Sequence, residues 1–543
     1  MKKSILLLVT CCFSVLTPIH AALDFKQVQK VVASDRGLND YFGSCVAISG
    51  DYAVVGTPGD CHNVVGSDSL NRAGAVYIYK RNVGTGAWSL IQKIVASDRA
   101  AADYFGYKVG ISGNYIIVGD NGEAEDANGL NTLSGAGSAY VFKLNTSTGL
   151  WAQQQKIVAS DRAISDCFGQ NVAISGDYII VGVEFESHDA NGSNTMSSAG
   201  SAYIFKRDAT SDTWSQQQKI VASDRFSMEW FGSSVGICGD YAVVGAQNDG
   251  IYQGMGSAYV FKRNTTTGIW AQQQKIVASD QTTGYASPDY FGSCVAITDG
   301  YIIIGADDED LDVSGGNSLS SAGAAYIYKL NTTTGTWAQQ QKIVPSDRAA
   351  SDFFGTSVSI SGEYALVGAP GEDEDANGTN TLSSAGSVYV FKLNTGTNTW
   401  SQLQKIVSSD RAVSDVFGFS VAVSGNYTFV GAKYEKEDAS GAHTITGAGS
   451  AYIFNLTSLV GLKDNVVDTN GLTLYPNPVS EGFQVIGIKE DAKLSITDIS
   501  GKMVLTKNIT SNEYINVNTL PQGLYIVKIS TLNDTFVQRI IKK

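Results

Sequence analysis

The chain has 543 residues, a formal charge of −14 and a pI near 4.8. That acidic balance argues against nucleic acid and anionic membrane as partners. No stretch beyond the N-terminal segment is apolar and long enough to span a bilayer, so no transmembrane span is expected in the mature chain.

Residues 1–22 are expected to be a secretory signal peptide. Lys2 and Lys3 form its basic start, Ile5 to Val9 open its apolar core, and Ala21-Ala22 offers small residues for cleavage. Cys11 follows Leu8-Val9-Thr10, where Thr replaces the small residue of a lipoprotein box. Beyond this segment lie Cys45, Cys61, Cys167, Cys238 and Cys294. The odd count reads as buried small hydrophobes, not as a disulfide framework.

Residues 23–456 hold one segment seven times. Phe-Gly recurs at Phe42, Phe105, Phe168, Phe231, Phe291, Phe354 and Phe417, at intervals of 63 residues shortened once to 60 before Phe291. A fixed period signals a repeat architecture. Each copy reads as four short strands. The first follows Phe-Gly and ends in a two-residue hairpin such as Gly50-Asp51 or Asp299-Gly300, where glycine supplies positive φ. The second resembles Tyr52 to Gly56, the third Gly137 to Lys143, and the fourth Trp151 to Ala159. Asn-Thr-Thr/Ser-Thr-Gly turns, as at Asn145, Asn264 and Asn331, join strands three and four.

Seven such units predict an all-β, seven-bladed β-propeller. Six fourth strands carry Trp five residues before Lys: Trp88, Trp151, Trp214, Trp270, Trp337 and Trp400. The seventh copy stops after its third strand, but Phe25 lies five residues before Lys30 near the N-terminus. The N-terminal strand is therefore expected to complete the last blade. A linear solenoid would need capping repeats instead.

Phe-Gly followed some thirteen residues later by Val367-Gly368-Ala369-Pro370 resembles the FG-GAP repeats of integrin α-chain propellers. Val/Ile-Gly-Ala recurs at Gly245, Gly305 and Gly431, and Gly-Thr-Pro at Gly56. Many integrin-like repeats carry an Asp-x-Asp-x-Asp-Gly calcium loop between strands one and two. Every copy here has only a two-residue hairpin there, so that site is not carried over.

In such a blade the loops from strand two to three and from strand four to the next strand one share a face. The two-to-three loops are acidic, and clustered carboxylates with Asn and Gly suit calcium. The candidate ligands are Glu123, Glu125, Asp126 and Asn128 in copy two, Asp189 and Asn191 in copy three, and Asp308, Asp310 and Asp312 in copy five. Copy six adds Asp373, Asp375 and Asn377, and copy seven Asp438. Two other readings stay open: a solvated acidic loop, or a contact face for a cationic or metal-bridged partner. The four-to-one loops repeat Ala-Ser-Asp-Arg, as at Asp98-Arg99 and Asp347-Arg348, with a further Asp before Phe-Gly. Their recurrence suggests blade-to-blade hydrogen bonding and not catalysis.

Residues 457–470 read as a polar linker. Residues 471–543 read as short alternating strands forming a small β-sandwich. They resemble the C-terminal sorting domain of proteins exported by the type IX secretion system of Bacteroidetes. The resemblance rests on Tyr475-Pro476-Asn477-Pro478, the turn from Asp498 to Lys502, the Leu-Pro-x-Gly-x-Tyr segment from Leu520 to Tyr525 and the basic end. It implies Sec-dependent export, passage across the outer membrane, release or attachment at the surface, and the secretion machinery as partner.

No catalytic motif is present: no Gly-x-Ser-x-Gly, no His-Glu-x-x-His, no phosphate loop. The expectation is a secreted or surface-attached adhesion protein that recognises an extracellular protein or glycan. The alternatives are a propeller hydrolase or lyase acting on a polymer at the ring centre, and a structural surface component without a specific ligand.

Overall fold

The computed structural model describes residues 22–66, 69–250, 254–281, 288–459, 473–475, 479–486, 491–498, 502–510, 513–531 and 535–542. The expected signal peptide, apart from Ala22, and nearly all of the expected linker lie outside these residues. So do Pro476 to Pro478 and Ile499 to Gly501. Asp24–Thr457 forms one compact unit, and residues 458–543 belong to a second.

The larger unit is seven four-stranded antiparallel sheets. In blade one, strands β2 (Cys45–Ser49), β3 (Tyr52–Thr57), β4 (Ala75–Arg81) and β5 (Trp88–Ile94) pair in sequence order. Ser49 pairs with Tyr52, so Gly50 and Asp51 alone make the turn, with Gly50 at φ +58°. In blade seven the strands at Ser420–Ser424, Tyr427–Ala432 and Ser450–Leu459 are completed by β1 (Ala22–Val31). The expected closure by the N-terminal strand is what the chain adopts.

Two contacts repeated at every junction hold neighbouring blades together. All seven Phe-Gly phenylalanines are fully buried. Each bridges in parallel to a glycine of the preceding blade, from Gly74 with Phe105 round to Gly449 with Phe42. A Cβ on Gly74 would lie 2.1 Å from the Phe105 carbonyl oxygen, so only glycine permits this approach. Further out, a strand-four glutamine forms an amide clamp on the next outer strand. Gln92 Nε2 donates to the Trp151 carbonyl at 2.7 Å, and Trp151 N–H donates back to Gln92 Oε1 at 2.8 Å. Gln155, Gln218, Gln274 and Gln341 repeat the clamp. Gln404 makes it with Phe25, and Gln29 with Trp88, which closes the circle.

The tryptophans are packing residues. Trp151 meets Tyr52 of the preceding blade edge-on at 5.6 Å, and Phe25 meets Tyr364 at the same separation. All six indole N–H groups of the strand-four tryptophans are buried without a hydrogen-bond partner among the described residues, so phenylalanine serves in the seventh place. The five cysteines are free; Cys45 is buried and the other four half-buried.

In the C-terminal unit a three-stranded sheet (Thr473–Tyr475, Gly482–Ile486, Tyr514–Asn516) accompanies a four-stranded one. Phe483 and Val485 from the first share a core with Leu494, Ile496, Val527 and Ile540 from the second, which makes it a sandwich.

Phe25→Ala is expected to lower stability by about 3–5 kcal/mol, as for a large buried aromatic. Trp214→Phe should cost under about 1.5 kcal/mol, because it removes an unsatisfied donor with the lost volume. Denaturant unfolding of the two variants checks both.

Candidate functional site

The face carrying the two-to-three and four-to-one loops is organised by a polar cluster repeated in every blade. In blade two, Lys156 from strand four extends over the Tyr140 ring, with Nζ 5.5 Å from its centroid. It pairs with Asp98 of the Asp-Arg loop at 2.8 Å and with Glu123 of the acidic loop at 3.2 Å. Tyr140 donates to the same two carboxylates at 2.8 and 3.0 Å. Lys93 repeats the arrangement in blade one with Asp35 and Asp60, and Lys405 in blade six with Asp347 and Glu372. In blade seven the lysine is Lys30 of β1, paired with Asp410 and Glu435. A buried ammonium is tolerable only with such partners. In blade four, whose acidic loop is seven residues shorter, Lys275 is 32% exposed.

The arginine beside each cluster aspartate crosses to the preceding blade. Arg162 donates to the carbonyls of Asn131 and Ala124, and Arg411 to those of Asn380 and Asp373. In blade five glutamine replaces this arginine, and among the described residues the Gln281 side chain donates to the Gly256 carbonyl. The Asp-Arg pair thus splits its work: the acid organises its own blade and the base ties two blades together.

The acidic residues proposed as ligands separate into three groups. Glu123 belongs to the buried cluster. Asp310 and Asp373 accept the backbone N–H of Ser321 and Ser384, fixing the far end of the loop. Asp126, Asp189, Asp312, Asp375 and Asp438 each cap the tight turn that follows them. Asp126 accepts from the N–H groups of Asn128 and Leu130 and from the Asn131 amide. Asp189 and Asp375 repeat this with Asn191 and Asn377. These donors hold the Asp126, Asp189 and Asp375 carboxyls below the usual range. Asn128, Asn191 and Asn377 are exposed, and Glu125 and Asp308 half-buried beside the turns.

The aspartate before Phe-Gly behaves oppositely. Burial pushes Asp103 and Asp166 up to about 6, and Asp352 and Asp415 up to about 7, with neighbouring carboxylates adding to the effect.

Two features were not read from the sequence. The residue immediately before Phe-Gly adopts left-handed backbone in all seven copies: Tyr41, Tyr104, Cys167, Trp230, Tyr290, Phe353 and Val416, with φ between 52° and 64°. Each N–H donates to a carbonyl of the preceding blade, which secures the strained conformation. Five of these seven are aromatic, and that recurrence was visible in the sequence. Exposed Leu38, Ile164, Phe226 and Val413 stand on the same loops.

The second feature lies at the axis, where the copies differ. The innermost strands carry a side chain that bonds to the next blade's Phe-Gly glycine carbonyl, as from Ser234 to Gly292 and from Ser420 to Gly43. Blade two has Lys108 at this position. Its charge acts on Glu184, Cys294 and Lys433, from blades three, five and seven, so it faces the centre of the ring. Burial pushes Glu184 up to about 7 and Asp307 up to about 6, and draws Lys433 down to about 8.

The family model for the FG-GAP repeat matches at residues 25–79, 88–142, 151–205, 214–261, 270–328, 337–391 and 400–454, one match per blade. The chain belongs to the FG-GAP repeat family. A secretion system C-terminal sorting domain matches residues 473–543. This FG-GAP protein is therefore exported by the type IX system to the cell surface or extracellular space. No curated protein matches it. Among solved structures, a Bacteroides uniformis protein named as a 6-phosphogluconolactonase is 15% identical, covering 67% of this chain and 85% of its own, at TM-score 0.40. Saccharomyces cerevisiae Sqt1 is 8% identical, covering 81% and 99%, also at TM-score 0.40. Neither similarity is high enough to transfer an activity.

The raised aspartates give the FG-GAP ring a pH signature. A carboxyl whose folded pKa is about 7, against 3.8 unfolded, contributes stability below the unfolded value and loses it as pH rises through 7. Asp352→Asn keeps an acceptor for the Ala349 N–H. It should therefore gain up to about 4 kcal/mol on the parent between about pH 4 and pH 8, read as the difference in unfolding free energy.

Proposed function

We propose that this is a secreted or surface-attached binding protein, and that the long-loop face of its ring is the contact surface for an extracellular protein or glycan. The observation that carries the reading is the set of aromatic side chains before Phe-Gly, one in each of five blades. Left-handed backbone at bulky residues is strained and persists where surrounding structure enforces it. Here it presents rings that are half-buried, with Phe353 36% exposed. Tyr and Trp combine a large apolar surface with a polar edge and are enriched at interfaces. The exposed aliphatic residues on the same loops favour a protein over a glycan. The turns capped by Asp126, Asp375 and their counterparts add an acidic border suited to a basic partner.

A second reading has support at the axis. Glu184 near 7, Asp307 near 6 and Lys433 near 8 are placed as acid–base groups would be in a polymer-cleaving enzyme.

The test is binding of the full chain to arrays of extracellular matrix proteins and of glycans. Tyr104→Ser, Tyr290→Ser and Phe353→Ser combined should weaken the signal at least about tenfold, the loss of roughly one aromatic hot spot. Leu150→Ser with Ile269→Ser, exposed on the strand-three-to-four side, should bind as the parent does. Equal binding by the two variants would overturn the face assignment. Turnover of a polymer that is abolished by Glu184→Gln would replace the binding reading with the enzymatic one.

A further inference from the structure

Blade two departs from its sisters at one buried position. The last residue of strand two is Ala246, Ala306, Ala369 or Ala432 in blades four to seven, Thr57 in blade one and Val183 in blade three. In blade two it is Asp120. Asp120 is fully buried, and neither carboxylate oxygen has a hydrogen-bond partner among the described residues. Ser138, its partner across the strand pair, has a buried hydroxyl likewise without one. In blades three, four and seven the equivalent serines, Ser201, Ser257 and Ser450, donate to Glu186, Asp249 and Glu435. Ser387 of blade six, opposite Ala369, shares the unpaired state of Ser138 but has no carboxylate across from it.

The Asp120 carboxylate meets two others. One oxygen each of Asp103, Asp120 and Glu123 lies within 4.8 Å of the others, and all three residues are buried. Two oxygens bound to one calcium ion at 2.3–2.6 Å lie at most about 5 Å apart, so one ion can reach all three. Lys156, paired with Asp98 and Glu123, is the cation that faces the cluster. With all four carboxylates ionised against one ammonium, the group would be strongly negative in a place where unpaired charge is heavily penalised, a burden that a divalent cation would offset. Blade seven also gathers Asp410, Glu435 and Glu437, but only the blade-two group is buried at all its members.

We propose that Asp103, Asp120 and Glu123 form a binding site for a single hard divalent cation, with calcium as the fitting ion and the Ser138 hydroxyl as an additional oxygen donor. All of these are oxygen ligands, the set that hard cations take. The site stands at the long-loop end of strand two, opposite the strand-one hairpins. It depends on no assumption about the macromolecular ligand.

The experiment is thermal unfolding of the full chain with calcium, up to about 10 mM, and with chelator, alongside calcium titration calorimetry. That ceiling exceeds the range of extracellular modules. Asp120→Ala restores the residue that four sister blades carry, so the variant should fold. The parent should bind one equivalent of calcium and melt higher with it. Asp120→Ala should lose both effects and melt higher than the parent in chelator. Asp126→Ala with Asp375→Ala should keep both. No calcium response in the parent would overturn the site and leave Asp120 a buried neutral acid. A response that survives Asp120→Ala, or that is lost in the Asp126 and Asp375 variant, would also overturn it.

Discussion

One inward-reaching ammonium per blade, buried in six of the seven, organises this ring. A lysine on the outermost strand reaches inward across the tyrosine of strand three to two carboxylates from two different loops. Taking that charge out of water is unfavourable by several kcal/mol unless every partner is in place. The requirement therefore fixes the outer strand, the acidic loop and the Asp-Arg loop together. The arginine next to the cluster aspartate then binds the preceding blade's loop, so the order set inside one blade passes to its neighbour. The glutamine clamp and the glycine–phenylalanine bridge do the same at two other radii.

The same logic explains why the N-terminal strand must carry Phe25, Gln29 and Lys30 in their spacing. They are not a generic β-edge. They supply the aromatic plug, the amide clamp and the ammonium that the seventh blade lacks.

Repeats, hairpin turns, ring closure and the sorting domain were legible in the sequence because each is a pattern along the chain. The Phe25-to-Lys30 spacing alone was enough to show where the missing strand had gone. The chemistry of the acidic loops was not legible. Glu123 and Asp126 are three residues apart and look alike in sequence. One faces inward to a lysine 33 residues further on, and the other caps its own turn. The left-handed conformation before Phe-Gly was hidden because Tyr, Trp and Val rarely adopt it. It is imposed by a hydrogen bond to another blade, which local propensity cannot register. Asp120 looks in sequence like one more acid of the acidic loop; its register opposite Ser138 shows that it ends a buried strand.

The strand order of the seventh blade also has a mechanical meaning. The last strand before the C-terminal unit, Ser450–Leu459, lies between Tyr427–Ala432 and β1. Without β1 it would be a sheet edge, and a load applied from the C-terminal side would peel it away one hydrogen bond at a time. With β1 beside it, the strand is gripped on both flanks, and the same load must shear two ladders at once. A ring tethered by its C-terminal end is thus held by an interior strand, and the pull on that tether is resisted by the first residues of the domain.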